Sequence, residues 1–287
     1  MQKILNKIFT GDNQQACEKI IEKYEKQHFC VVDYVYFANI VGKKVFEKNY
    51  SEYNLSEFKN AVLDDYKKIS FDKICSAYQD ALNESDFLLP DGIALWLFYF
   101  LAKMFKRIES KTFKLANLNG TDFMPYFLEQ IKNNFFNNKI NILLYGTYPD
   151  LINQTKKILL SKGYNVVFAQ DGYSNLDWNK IENILKKESD GINILFVARS
   201  TPKFPIQEIW TMANIERIKK NKLIVMNQGG TFDFLIGKQK RAPKVIRKLK
   251  FERLRRFLLD PKRNWKKIFD TLSFFKYVFL YLLLKKE

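Results

Sequence analysis

The feature that most constrains this chain is a regular alternation between Lys139 and Asn227. Short apolar runs (KINILLYG, YNVVFAQ, INILFVA and KLIVMN) are separated by amphipathic segments, near 149–162, 178–187 and 207–220, that have the spacing of helices. Continuous apolar strands separated by amphipathic helices are typical of a parallel sheet that is covered on both faces. We therefore predict an α/β fold with a Rossmann-like, mostly parallel sheet. Ligands bind beyond the carboxyl ends of such strands, which directs attention to Gly146, Asp171, Ser200 and Gly229.

The amino-terminal half adds two further strand patterns. The β-branched and aromatic run over 28–41 predicts a buried strand, and FLLPDG after Asp86 predicts a short one. The next segment, IALWLFYFLAKMFKR, has only 11 uncharged residues after Asp91, against about 20 that cross a bilayer. It therefore predicts a buried core helix. The charged segment over 42–85 has apolar residues at helical spacing and predicts a helical insertion.

Positive charge is concentrated in the tail. The whole chain has a formal net charge of +17, and residues 238–287 hold 17 Lys and Arg against four acidic residues. We divide the chain into a Rossmann-like catalytic domain over 1–237 and a basic appendage over 238–287. A basic segment attracts nucleic acid, anionic lipid or a diphosphate-bearing substrate, so charge alone does not select the partner.

The last part of the tail combines charge with helical periodicity. Apolar residues recur every three or four positions from Ile268 to Leu283, after a basic start, and Lys276 interrupts them. This pattern predicts an amphipathic helix that lies in a lipid interface and is too short to span the bilayer. The alternative is a terminal helix that packs on its own core or in a homo-oligomer.

Several classes of site are disfavoured by composition. His28 is the only histidine, and Cys17, Cys30 and Cys75 are too widely spaced for a C-x-x-C zinc or redox pair. The chain has no D-x-D pair of the type that holds a metal in many nucleotide-sugar enzymes, and no G-x-G-x-x-G. Unpaired cysteines and an amino terminus without a signal-peptide pattern predict a cytoplasmic protein.

Four loops combine glycine or proline with ionisable or amide side chains, as a polar ligand site requires: 88–96, 118–124, 200–210 and 227–244. Each also has a purely structural interpretation. Asp91 is a suitable N-cap for the next helix, and Thr121 or Asp122 is suitable after the Asn119-Gly120 turn. Gln207 and Glu208 are compatible with a simple helix start, where acidic side chains favour the macrodipole.

The order of these motifs carries more information than any one of them. Between about Asp86 and Asn264 the motifs follow one another in this order: DG, NGTD, GTYPD, AQDGY, TP with QE and W, GGTFDFLIGKQKRAPK and ERLRRFLLDPKRN. In this order they resemble the WecG/TagA/CpsF family of bacterial glycosyltransferases. The resemblance implies an inverting enzyme that transfers a sugar, such as N-acetylmannosamine or another hexose, from a UDP-sugar to a polyprenyl-diphosphate-linked saccharide. It also implies a peripheral location on the inner face of the cell membrane, in cell-surface polysaccharide or cell-wall polymer synthesis.

The resemblance also assigns roles to residues. Asp91 lies in the loop that holds the family's essential aspartate, and a carboxylate is a natural general base because His28 precedes the first strand. Arg256, Arg263 and Lys266 fall where the family has basic residues that reach the lipid-linked diphosphate. The family's Thr-x-Asn after the first strand is replaced here by Asp33-Tyr34-Val35, and its compact G-S-P-x-Q-E is interrupted by an insertion after Ser200. We predict these substrate-binding residues: Gly92, Asn119, Gly120, Asp122, Gln207, Glu208, Gly229, Gly230 and Asp233.

Cofactors and rival functions complete the prediction. Backbone N–H groups and basic side chains are expected to stabilise the leaving diphosphate without a metal or other cofactor. The rival function is a non-catalytic basic α/β protein that binds a membrane or nucleic acid. The tail's aromatic residues lie on the apolar stripe of the predicted helix, which favours an anionic membrane surface over nucleic acid as the partner.

Overall fold

The computed structural model describes residues 2–37, 71–109, 115–116, 118–134, 139–188, 191–199, 206–228, 230–237, 276 and 278–280. Strands and helices alternate along most of these ranges. In chain order the elements are α1 (Gln2–Lys7), α2 (Asn13–Gln27), β1 (Cys30–Tyr36), α3 (Phe71–Glu84), β2 (Phe87–Asp91), α4 (Ile93–Met104), α5 (Gly120–Asn134), β3 (Lys139–Gly146), α6 (Pro149–Ser161), β4 (Asn165–Gln170), α7 (Trp178–Lys187), β5 (Gly191–Ala198), α8 (Ile206–Ala213), α9 (Ile215–Lys220), β6 (Leu223–Asn227) and α10 (Thr231–Leu235).

The strands form one sheet of six in the order β2-β1-β6-β5-β3-β4, and every neighbouring pair is parallel. The predicted Rossmann-like α/β fold is confirmed. Because the strands are parallel, their carboxyl ends meet at one edge, which we call the carboxyl edge. Asp91, Gly146, Ala198 and Asn227 all end strands at this edge.

Helices cover both faces of the sheet, as the continuous apolar strands require. On one face α2, α5 and α6 pack over Val32, Ile194 and Met226. On the other face α1, α3 and α4 cover the β1–β2 end, and α7, α8 and α9 cover the remaining strands. The two faces therefore hold separate apolar layers, and the polar side chains at the strand ends lie between them.

The order of the strands creates a crevice at the carboxyl edge. β3 and β5 are neighbours in the sheet. From β3 the chain continues to β4, at one end of the sheet, and from β5 it continues to β6, in the opposite direction. Connections that diverge from adjacent parallel strands leave an opening between them, where open α/β sheets bind ligands. This switch point lies between Gly146 and Ala198, which are paired in the sheet.

The fold corrects two local predictions. The helix expected over 207–220 is two helices, because Asn214 ends the first one, donates from its side chain to Trp210 O at 2.9 Å and accepts from Trp178 Nε1 at 3.1 Å. The first strand ends at Tyr36, so Asp33-Tyr34-Val35 lie inside it and not after it. The residues that follow the strand are Phe37-Ala38-Asn39, of which the last two lie outside the described residues.

The expected core helix is confirmed. In α4, Leu95, Phe98, Tyr99 and Ala102 are buried against the sheet. In the parts of the chain that the structure describes, no helix has both the length and the apolar content to cross a membrane. Most of the 42–85 insertion and of the basic appendage lies outside the described residues, and α3 is the helix seen in the former.

A buried polar network joins the sheet to α3 and α8. The fully buried carboxyl group of Asp33 accepts from Asn227 Nδ2 at 2.5 Å and pairs with the Ser85 hydroxyl. Asn227 Oδ1 in turn accepts from Thr211 Oγ1, in α8, at 3.0 Å. Burial raises the pKa of Asp33 from 3.8 to about 6, while the hydrogen bonds from Ser85 and Asn227 and the charge of Lys7 oppose the increase. Folding therefore favours the protonated form of this carboxyl group.

We predict that Asp33→Asn changes how stability depends on pH. Because folding raises the pKa of Asp33, the contribution of this residue to the free energy of unfolding is complete below about pH 3.8. That contribution falls by roughly 3 kcal/mol as pH rises through 6. An amide keeps an acceptor for Asn227 and donates to Ser85 Oγ, which in turn donates to Ala81 O. The unfolding free energy of Asp33→Asn relative to the parent should thus increase between pH 4 and pH 7.5 in urea titrations.

The control is Asp80→Asn, which changes an exposed carboxylate on α3. At pH 7.5 it should unfold with nearly the same free energy as the parent, because substitutions of exposed residues change stability little. A difference for Asp33→Asn that stays flat from pH 4 to pH 7.5 would show that the buried carboxyl group does not titrate in this range.

Candidate functional site

Asp91 is the last residue of β2, at the carboxyl edge of the sheet. The residue that precedes α4 as its N-cap is Gly92 and not Asp91, so the structural interpretation of the DG pair as an Asp N-cap is wrong. Gly92 has φ 92° and ψ 150°, a conformation that only glycine adopts readily. The glycine thus turns the chain into the helix immediately after the carboxylate.

Two tyrosines of the neighbouring strand lie beside Asp91. Tyr36 pairs with Asp91 in the β1–β2 register, and its hydroxyl donates to the Asp91 carboxylate. Burial, and next the negative charge of Asp91, raise the pKa of Tyr36 and of Tyr34 well above the usual value. Both phenols therefore stay neutral, and one of them orients the carboxylate.

The loop before α5 is tied to the same edge. Leu118 N donates to Pro90 O at 3.2 Å, next to Asp91. Asn119 Oδ1 accepts from Asp122 N at 3.0 Å, and Asn119 Nδ2 donates to Asp122 Oδ2 at 2.9 Å. The side chain that caps this helix is therefore Asn119, where the sequence favoured Thr121 or Asp122. The fold therefore brings Asn119 and Asp122, both predicted to bind substrate, to the edge that holds Asp91. Their side chains are hydrogen-bonded to each other.

Gly120 is buried beneath this loop, against the end of β6. A Cβ atom at this position would lie 3.1 Å from Gln228 Oε1, 3.1 Å from Thr231 Oγ1 and 3.4 Å from Tyr34 Cζ. Gln228 follows β6 directly, is only 2% exposed, and donates from Nε2 to the Tyr34 hydroxyl at 2.7 Å. The sequence predicted Gly120 as a substrate-binding residue, but it assigned no such role to Gln228, to Tyr36 or to Tyr34, which it noted only within the segment that replaces the family's Thr-x-Asn. A polar residue directly after an apolar strand was the signal available for Gln228.

Gln207 and Glu208 lie in the first turn of α8 and are both buried. Gln207 Oε1 accepts from Arg199 N at 3.2 Å, and Gln207 Nε2 donates to Glu208 Oε1 at 3.2 Å. The charge of Glu208 is among the causes that raise the pKa of Tyr36, which places the two groups near each other. A buried pair with these contacts does more than open a helix, so the structural interpretation from sequence is incomplete.

A buried cation lies at the switch point. Arg199 follows β5, is 4% exposed, and donates to Tyr145 Oη at 2.8 Å and to Gly172 O at 3.1 Å. Its guanidinium carbon is 5.2 Å from the centre of the Tyr145 ring, and burial lowers the pKa of Arg199. Arg199 was not predicted. The only signal was a charged residue directly after an apolar strand.

The backbone at the switch point is closely packed. Gly146 has φ 116°, and a Cβ atom there would meet Ala198 O at 2.3 Å, so only glycine fits. Thr147 N donates to Ala198 O at 2.8 Å, and Gly172 N donates to Thr147 O at 3.0 Å. Tyr148 and Tyr173 are exposed next to these turns, with ring centres 5.7 Å apart. Glycine turns, a cation and exposed aromatic rings together suit a nucleotide.

The other predicted residues divide into two groups. Gly230 is exposed just before α10, and Asp233 is half-buried in the first turn of that helix, two residues after Thr231. The remaining four, which include the three basic residues of the tail, lie outside the described residues: Gly229, Arg256, Arg263 and Lys266. Over the described ranges, no group of three or more His, Cys, Asp and Glu residues is placed to hold a metal ion.

The model of the glycosyl transferase WecG/TagA/CpsF family matches residues 73–287, which is most of the chain. The chain belongs to the WecG/TagA/CpsF family. The match includes Asp91, the Asn119 loop, the switch point and the whole basic tail. Membership makes the protein a glycosyltransferase of cell-surface polysaccharide synthesis, a family that in general uses a nucleotide-sugar donor and a lipid-linked acceptor.

Proposed function

We propose that this protein is an inverting glycosyltransferase that moves a hexose, such as N-acetylmannosamine, from a UDP-sugar to a polyprenyl-diphosphate-linked saccharide. The observation that carries the proposal is the position of Asp91. Tyr36 donates a hydrogen bond to its carboxylate, and Asp91 lies on the same edge of the sheet as the crevice at the switch point, which suits a nucleotide. Family membership supports the transferase chemistry. The proposed place of work is the inner face of the bacterial cell membrane, during polysaccharide or cell-wall polymer synthesis.

In this proposal Asp91 is the general base. The acceptor hydroxyl oxygen attacks the anomeric carbon of the donor, and the bond from that carbon to the β-phosphate oxygen breaks. The hydroxyl proton passes to the Asp91 carboxylate, UDP leaves with the bonding electron pair, and the configuration inverts. His28 is a poor alternative because it lies before β1, at the opposite edge of the sheet, and a seven-residue strand is roughly 20 Å long.

The nucleotide is assigned to the switch point. Gly146, at the end of β3, and Gly172, after β4, let the two turns pack closely on each other and on Ala198, and Arg199 supplies positive charge beside them. An aromatic ring such as Tyr148 or Tyr173 offers a stacking surface to a base. The sugar then extends from this crevice toward Asp91, across β6 and β1.

We predict that Asp91→Asn keeps the fold and the affinity for UDP but lowers turnover by about 10²- to 10⁴-fold, as expected for loss of a general base. The change is nearly isosteric, and the amide still accepts from Tyr36. Turnover is measured as release of UDP in the presence of acceptor, and UDP affinity by calorimetry. Asp80→Asn, on the exposed side of α3, is the matched control and should be fully active.

Near-normal turnover of Asp91→Asn would remove this residue from the mechanism. Loss of UDP binding together with turnover would instead indicate a structural role for Asp91.

We also propose that departure of the diphosphate needs no metal, because fixed N–H donors and basic side chains offset its charge. Turnover should therefore be the same before and after exhaustive EDTA treatment. An enzyme that stops in EDTA and recovers with magnesium or manganese would contradict this part of the proposal.

The basic tail is assigned to the membrane and to the lipid-linked diphosphate. Arginine grips phosphate oxygens in bidentate fashion, and lysine acts as a point charge, so Arg256, Arg263 and Lys266 suit the acceptor's diphosphate. Residues 265–287 supply the apolar stripe for an anionic bilayer. This assignment rests on the sequence and on the family match, which extends to residue 287.

We predict that the two functions of the tail separate. Deletion of 265–287 should release the protein from anionic vesicles in a flotation assay while UDP still binds. Replacement of Arg256 and Arg263 by Ala should weaken use of lipid-linked acceptor, as a higher KM, while much of the vesicle binding remains. A deletion variant that stays on vesicles, or a double variant with unchanged acceptor kinetics, would contradict the assignment.

A further inference from the structure

Helix α4 has apolar side chains on two sides, and the core of the domain buries only one of them. The buried side consists of Leu95, Phe98, Tyr99 and Ala102. The other side, which we call the outer face, has the i, i+3, i+4 spacing of one helical stripe and is exposed or half-buried throughout: Ile93, Trp96, Leu97, Phe100, Leu101 and Met104. A helix that is apolar all round is typical of a fully buried position or of contact with a membrane.

Both ends of the outer face are open to solvent. Ile93 is 39% exposed and Met104 is 55% exposed, and Phe105, the C-cap of the helix, is 45% exposed. Between these ends the rings of Trp96 and Phe100 stack with their centres 5.9 Å apart. Single exposed apolar side chains are common on protein surfaces, but a stripe along a whole helix indicates an interaction surface.

The charges around the outer face select its partner. From Gly92 to Ile108 the chain has no acidic residue and three basic ones, Lys103, Lys106 and Arg107, and Lys106 is exposed. Apolar and aromatic side chains beside cations suit the interface of an anionic bilayer. There the apolar groups enter the boundary between headgroups and acyl chains, and the cations meet lipid phosphates.

The basic tail reaches the same side of the fold. Of its predicted amphipathic helix the structure describes residues 276 and 278–280. Val278 packs against the apolar layer that α1, α3 and α4 form, while its neighbour Phe279 is 52% exposed and Lys276 is exposed. The segment that we assign to the membrane is therefore continuous with the layer to which α4 belongs.

We propose that the outer face of α4 lies in the headgroup region of an anionic bilayer and docks the catalytic domain there. This inference rests on the proposed function, in which the acceptor is a lipid-linked saccharide. Helix α4 begins two residues after Asp91, so a bilayer along its outer face has the proposed base close to the membrane surface. The acceptor saccharide then reaches Asp91 while its lipid stays in the bilayer.

The tail and the outer face have different tasks in this arrangement. Strength of attachment to a bilayer increases with the apolar area that enters it. The tail has the longer stripe and holds the protein at the membrane. The shorter outer face sets the orientation of the catalytic domain, and it does not retain the protein on vesicles when the tail is deleted.

The first test replaces two exposed apolar side chains in the full chain, as Met104→Gln with Phe105→Gln. Flotation with vesicles of phosphatidylglycerol and phosphatidylcholine should show a partition coefficient about tenfold lower than that of the parent, because the apolar area that enters the bilayer is lost. Turnover of lipid-linked acceptor in these vesicles should fall as well. UDP affinity, and turnover with a water-soluble short-chain acceptor, should stay unchanged.

The matched control is Leu160→Gln. Leu160 is 46% exposed on α6, which covers the opposite face of the sheet. This variant should float with the vesicles as the parent does. Thermal unfolding of all the variants shows that each one is folded before partition is compared.

The second test separates charge from apolar contact. Lys106→Gln should lower partition onto anionic vesicles about fivefold, because one cation near the surface is lost, and should not change partition onto vesicles of phosphatidylcholine alone. Lys162→Gln is the control, since Lys162 is an exposed lysine at the end of α6. It should behave as the parent does on both kinds of vesicle.

The outcomes distinguish this inference from the proposed function. A parent that floats, with a Met104→Gln/Phe105→Gln variant that floats equally well, would overturn the role of α4 and leave the transferase and the tail anchor intact. A parent dimer that this variant splits, with unchanged flotation, would assign the outer face to a second copy of the chain and overturn the inference. A parent that floats but neither binds UDP nor transfers sugar to any acceptor would overturn the proposed function instead.

Discussion

Three residue pairs and a buried hydrogen bond are among the contacts that join the two parts of this sheet. Cys30, Val31 and Val32 of β1 pair with β6, and beyond them Asn227 donates to Asp33 at 2.5 Å. On one side of this junction lies β2 with Asp91, and on the other lie β5, β3 and β4 with the switch point. Because the strands are parallel, the junction sets the distance between the proposed base and the proposed nucleotide crevice. Thr211 extends the same network to α8, whose first turn contains Gln207 and Glu208.

The electrostatics of the carboxyl edge follow from burial. Desolvation keeps Tyr34 and Tyr36 neutral beside Asp91, so that they act as hydrogen-bond groups and not as charges. The buried guanidinium group of Arg199 keeps polar partners, since it donates to the Tyr145 hydroxyl and to Gly172 O and lies over the Tyr145 ring. Negative groups therefore collect near β2 and a cation lies near β5. This polarity suits a reaction in which a proton is removed at one end and a diphosphate departs at the other.

Part of the site was visible in the sequence because it depends on local backbone chemistry. Asp91-Gly92 was recognisable as a strand-to-helix turn, since a glycine with φ 92° lets the chain leave a strand and enter a helix at once. The cap of α5 was wrongly assigned, because Asn119, Thr121 and Asp122 are all good caps and only the folded geometry selects Asn119. Gln228 and Arg199 were missed for a different reason. Each is one polar residue after an apolar strand, and its importance comes from neighbours more than 25 residues away, such as Tyr34 and Tyr145.

The sequence by itself determined the fold class, since the alternation of apolar strands and amphipathic helices leaves few arrangements other than a covered parallel sheet. It also determined the family, because the order of the motifs along the chain can be recognised without knowing their positions in space. Only the tertiary structure decided the strand order, because pairing between β1 and β6 joins residues nearly 200 positions apart and periodicity contains no information about partners. That order placed Gln228 between Asp91 and the switch point, with its side chain buried against Gly120 and hydrogen-bonded to Tyr34.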